Sequence, residues 1–110
     1  MIWQNDANEY AIRSLLHCST PAKILNITGP ETISVRWLAN WFGEYFNKQP
    51  VFSGTESQTA LLSNAAESFH LFGYPATPLK TMMQMIAEWI GSDKQTINKP
   101  THFQERHGNY

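Results

Sequence analysis

Cysteine occurs once in the 110 residues, at Cys18. A single thiol excludes an internal disulfide, so the chain is not one of the small secreted folds stapled by bridges. Charge is equally sparse: 8 Lys and Arg against 9 Asp and Glu give a net charge of −1, and the charged share of 15% is below the usual quarter. The basic residues are scattered singly, which supplies no electrostatic footprint for nucleic acid or an anionic membrane surface, and neither partner is expected. No apolar run approaches the ~18 residues of a membrane span, and no charged segment followed by an apolar one opens the chain. A cytoplasmic protein is therefore expected.

What is present suits one globular domain: apolar residues make up 42% of the chain and aromatics 13%, enough for a single core at this length. Asn5-Asp6 offers a helix N-cap with Glu9 completing a capping box, and a helix follows to about Cys18 with Ala11, Ile12, Leu15 and Leu16 on one stripe. Ser19-Thr20-Pro21 stops it. Ile24 to Thr28 is β-branched and apolar, which predicts a strand ended by Gly29-Pro30. Ser34 then caps a helix in which Leu38, Trp41, Phe42, Tyr45 and Phe46 recur at three- and four-residue spacing. Past Gln49-Pro50, Val51 to Ser53 predicts a second strand.

Strand, helix and strand in this order make a right-handed crossover of two parallel strands the default. After the polar loop 54–60, Ser63 or Asn64 caps a short helix ending at Gly73, and Thr77-Pro78 opens a last helix that stops at Gly91. The expected fold class is α/β: a small β-α-β crossover flanked by an N-terminal helix and two C-terminal helices. Trp37, Trp41, Phe42, Phe46, Phe69, Phe72, Ile86 and Trp89 form its expected core. Residues 1–92 make the body, and 93–110, polar with isolated Ile97 and Phe103, make a tail.

The segments WQNDANEYAIRSLLH, ILNITGPETISVRWLANWFGEYF, PVFSG, ALLSNAAESFHLFGYPATPLKTMMQMIAEWI and KPTHFQERHGNY, in this order, carry a resemblance. They resemble the C-terminal portion of the NAD-dependent epimerase/dehydratase family, the extended short-chain dehydrogenase/reductases. Trp3 to Ala7 looks like the family's strand-to-helix entry after its nucleotide domain. Asn26 to Val35 resembles its N-x-x-G-P-E-x-x-S-V segment, and Leu62 to Trp89 its short helix, Gly-Tyr-Pro turn and terminal helix.

The resemblance implies machinery that this chain does not carry. Enzymes of the family hold the dinucleotide on a G-x-x-G-x-x-G turn at a helix N-terminus. Here the glycines are Gly29, Gly43, Gly54, Gly73, Gly91 and Gly108, and no two lie three apart. The family's catalytic pair is a Tyr with a Lys four residues on, the Lys lowering the phenol's pKa. Tyr10, Tyr45 and Tyr74 are followed at that distance by Ser14, Gln49 and Pro78, and Tyr110 is the last residue. The expectation is a substrate-side lobe with no cofactor site and no catalytic residue of its own. NAD or NADP, and a nucleotide-binding domain as partner, belong to the full-length enzyme. Alone, the lobe is expected to self-associate as a homo-oligomer or by exchanging a terminal segment.

Within the lobe, three residues are candidates for substrate contact. Arg36, at the second helical position, is mildly opposed by the helix dipole. Two readings stand for it: an ion pair with Glu31 or another local carboxylate, or a contact to an anionic substrate group such as that of a nucleotide sugar. His102 and Arg106 in the tail line a cleft or a subunit contact under one reading and belong to a surface strap under the other. The Gly29-Pro30 turn is a poor phosphate cradle, since Pro30 lacks an N–H and Glu31 brings a carboxylate. The four histidines lack metal-ligand spacing, and Ser34, Ser63 and Cys18 lack a His-Asp partner. Two function classes survive: the inactive lobe of an NAD(P)-dependent oxidoreductase, and a free-standing, non-catalytic interaction module of the same fold.

Overall fold

A computed structural model describes residues 1–100. Four α-helices and one 3-10 turn account for its regular structure: α1 (Gln4–Ser14) with the turn Leu15–His17 continuing it, α2 (Val35–Tyr45), α3 (Ala66–Phe72) and α4 (Leu79–Gly91). Among the described residues there is no strand. Residues 1–100 are all-α, and the expected α/β crossover with two parallel strands is overturned.

The hydrogen bonds of the expected strand explain why. In the segment 24–28, the Asn26 side chain donates to the Asn64 carbonyl at 3.1 Å, and its carbonyl accepts from the Ser68 hydroxyl. This segment is pinned to the start of α3, not to another strand. Ser68 is fully buried, so that bond serves a hydroxyl cut off from water. The other expected strand, 51–53, lies in the open, with Val51 93% exposed. A parallel pair needs cover on both faces, and helices this short do not supply it.

The helix ends follow local chemistry. Ser34 caps α2 as expected, its hydroxyl accepting from the Trp37 N–H at 3.4 Å. The Asn64 carboxamide oxygen accepts from the Ala66 N–H at 3.0 Å and opens α3, which stops at Gly73 with φ 83°, a left-handed backbone angle that glycine adopts without strain. Pro78 is the N-cap of α4, one residue after the expected Thr77. At α1 the expected capping box is not formed. The helix begins at Gln4, and Asp6 lies inside its first turn.

What Asp6 does instead organises the core. Its carboxylate accepts from the Thr77 N–H at 3.0 Å, the Tyr10 hydroxyl donates to the Gly73 carbonyl, and Arg13 donates to the Phe72 carbonyl at 3.0 Å. Positions 6, 10 and 13 share one helix face, and all three clamp the turn between α3 and α4. The Phe72 ring lies against Tyr10, with ring centroids 5.3 Å apart, and beneath the Arg13 guanidinium at 5.0 Å.

The buried set is Tyr10, Ala65, Phe72, Met82, Met83 and Ala87, with Asp6 and Ser68. Of the expected core only Phe72 is in it; Trp37 and Trp89 are about half exposed. The amphipathic stripe of α1 faces outward, with Ile12, Leu15 and Leu16 at 68%, 69% and 87% exposure. Because α1 binds through its polar face, its apolar face has no cover within the described residues.

The Gly29-Pro30 turn is held from the N-terminus. Gly29 is buried, and a Cβ there would run into the Met1 carbonyl, so the first residues cross directly over the turn. Gly43 plays the same part on α2, where a Cβ would meet the Lys48 carbonyl at 2.6 Å and Pro50 at 2.7 Å. That close approach lets the chain reverse against its own helix.

Candidate functional site

Arg36 is set in place by the start of α2. With Ser34 capping and Val35 opening the helix, the Arg36 side chain leaves the first turn towards the loop that follows residues 51–53. There its guanidinium lies over the Phe52 ring, 4.1 Å from the centroid, and both Nε and one terminal nitrogen reach Glu56 Oε1 at 2.7 Å. The ion-pair reading of the sequence was correct in kind, but the partner is Glu56 and not Glu31.

The Arg36–Glu56 pair is open to water, with the two side chains 49% and 73% exposed. Such a pair contributes at most about 1 kcal/mol, and its guanidinium stays within reach of a competing anion. Arg36 lines neither of two grooves in the described structure. The first, about 210 Å³, runs beside the Gly29-Pro30 turn between Glu31, Ile33, Leu38 and Leu62. It is smaller than the ~300 Å³ at which small-molecule pockets begin. The second, about 830 Å³, is an open apolar trough between Trp3, Ile86, Trp89 and Ile90, with Lys94 at its rim. Lys94 lies 4.9 Å over the Trp89 ring, whose N–H donates to the Gln95 carbonyl at 3.2 Å.

The start of α2 does not fit a dinucleotide phosphate. One of its donors, the Trp37 N–H, is taken by the Ser34 hydroxyl, Pro30 has no N–H, and the Glu31 carboxylate lines the groove. The start of α2 is therefore a poor fit for the pyrophosphate of NAD or NADP. Among the described residues, no three of His, Cys, Asp and Glu gather as metal ligands.

One phenol is displaced from its ordinary acidity. Burial raises the Tyr10 pKa, Asp6 and Glu9 raise it further, and Arg13 opposes them. Its proton is held in the bond to the Gly73 carbonyl, so the shift reflects a structural clamp and not an acid poised for substrate. His102 and Arg106, the other two candidates, lie outside the described residues.

Phe52 and Glu56 were missed from sequence. Their signal was faint: one carboxylate in the polar loop 54–60, and one aromatic two residues past Pro50, both far from Arg36 in number. No helix among the described residues is long and apolar enough to cross a membrane. The chain matches no protein-family model, no curated protein and no solved structure.

Proposed function

We propose that this chain is the substrate-side lobe of an NAD(P)-dependent epimerase/dehydratase-like oxidoreductase, inactive by itself. The observation that carries the reading is the Arg36 arrangement: an arginine at a helix start, stacked on Phe52 and held by one exposed carboxylate. A guanidinium so placed is preorganised for a planar, bidentate anion, and Glu56 occupies the place such an anion would take. The resemblance of its segments, in order, to the family's C-terminal portion supports the same reading. So does the absence from the sequence of a glycine-rich turn and of a Tyr with Lys four residues on.

In this account the lobe binds and orients, and the cofactor and the acid–base pair come from a nucleotide-binding domain. Arg36 exchanges Glu56 for an anionic group of the substrate when the two close together. Reading the coding sequence upstream of Met1 tests this. An in-frame glycine-rich strand-turn-helix and a Tyr-x-x-x-Lys are expected; a ribosome-binding site preceded by unrelated sequence would refute it. In the full-length enzyme Arg36→Ala is expected to raise KM with little loss of stability.

The second reading, a non-catalytic interaction module, is favoured by one observation. Ile12 of α1 and Leu15 and Leu16 of the turn that continues it form an outward apolar stripe that nothing within the described residues covers. A partner protein with no enzymatic role would serve that stripe as well as a nucleotide-binding domain.

A further inference from the structure

The open trough on α4, about 830 Å³, is within the ~300–1,000 Å³ of sites that hold a drug-sized group. Its apolar lining is Trp3, Met85, Ile86, Trp89 and Ile90, with Trp89 48% and Ile90 50% exposed. The chain beyond α4 returns to line it as well. Asp93, with φ 50°, bends the backbone at the helix end, the Gln95 carbonyl accepts from the Trp89 indole, Lys94 lies over that ring, and Thr96 lines the trough. One charge of each sign completes the lining, Glu88 and Lys94, and neither is in an ion pair with a described residue.

We propose that the trough is the docking site of this chain's own residues 101–110, with Phe103 among its apolar side chains and Glu105 and Arg106 against Lys94 and Glu88. Length permits it. Phe103 follows Thr96 by seven residues, a reach of up to about 25 Å, whereas the 13 residues of α4 span about 20 Å. Phe103 can therefore meet any point along the trough.

Charge selects this occupant. Phe103-Gln104-Glu105-Arg106 presents an aromatic ring followed by an acid and a base, the counterparts of an apolar trough with one base and one acid at its edge. An anionic amphiphile would meet Glu88, and a basic peptide would meet Lys94. Tethering favours the chain's own segment over the same segment of a second copy, because a linker this short sets an effective concentration in the millimolar range. The inference does not rest on the enzyme reading, since it concerns α4 and the residues after it and not Arg36.

Disulfide trapping in the full chain tests it. In a Cys18→Ser background, Gln104→Cys is combined with Ile90→Cys in the trough or with Val51→Cys outside it, and circular dichroism checks helix content. Both partner positions are half exposed or more, so a cysteine there leaves the fold in place. The expected result is an intramolecular disulfide that forms roughly tenfold or more faster at position 90 than at position 51. Phe103→Ala is expected to abolish that difference, Lys94→Glu to reduce it, and Lys94→Glu together with Glu105→Lys to restore it. Equal rates at the two positions, or a difference that Phe103→Ala leaves unchanged, would overturn the proposal. So would a disulfide at position 90 that joins two chains, which would put a second copy's segment in the trough.

Discussion

At Tyr10 a single hydroxyl ties α1 to the end of α3, and its energetics can be separated from those of the ring. Tyr10→Phe keeps the contact with Phe72 and removes the bond to the Gly73 carbonyl, which then lacks its buried donor. A loss of about 1–2 kcal/mol is expected, measured by urea unfolding. The pH dependence has a definite sign. The folded-state pKa is raised, so the native protein holds this proton more tightly than the unfolded chain does. Stability from this source is complete below the ordinary tyrosine pKa of about 10 and is lost as the pH rises above it. The Tyr10→Phe variant should lack that alkaline loss; an unchanged alkaline slope would show that Tyr10 is not its source. Arg36→Ala should cost under about 1 kcal/mol, because its partner Glu56 remains hydrated. At this scale the sequence was partly legible. Arg36's conflict with the helix dipole pointed to a carboxylate partner, but no local spacing could identify Glu56, twenty residues away.

The helices show where sequence pattern succeeds and where it misleads. Ser34 and the Pro78 to Gly91 signals placed α2 and α4 almost correctly, because caps and breakers act on the backbone next to them. Ser34→Ala is expected to lower stability by about 0.5–1 kcal/mol, at the low end for a cap since its bond is 3.4 Å long. The strands could not be read that way. A run such as 24–28 has the composition of a strand, but becoming one requires a neighbour, and the Asn26 carbonyl and side chain are taken by the start of α3. Helix α1 misled for a different reason. Its apolar stripe at Ile12, Leu15 and Leu16 stood out, while the face that docks carries Asp6, Tyr10 and Arg13 at four- and three-residue spacing. Asp6→Ala should leave the Thr77 N–H without its acceptor and cost about 1–3 kcal/mol, with α1 the first element to lose protection in hydrogen exchange. Equal protection of α1 in parent and variant would contradict the clamp.

Over the whole molecule, the polar clamp and the small buried set leave an open shape. The radius of gyration is 16.4 Å, against about 13 Å for a compact domain of this length. One apolar face, the outward stripe of Ile12, Leu15 and Leu16, remains uncovered within the described residues, and Trp37 and Tyr45 of α2 are about half exposed. Gly29→Ala tests how far the body depends on its own first residues: a Cβ there displaces the Met1 carbonyl, and a loss of about 1–3 kcal/mol is expected in thermal unfolding. NAD or NADP added to the chain should leave its melting temperature unchanged, since the sequence offers no glycine-rich turn to hold either. The central claim, a lobe that depends on a nucleotide-binding domain for chemistry, is met most directly by mass spectrometry of the polypeptide that carries this sequence in its source cells. The account expects peptides contiguous with Met1 that bear a glycine-rich turn and a Tyr-x-x-x-Lys. A mature chain of 12.6 kDa beginning at Met1 would contradict it.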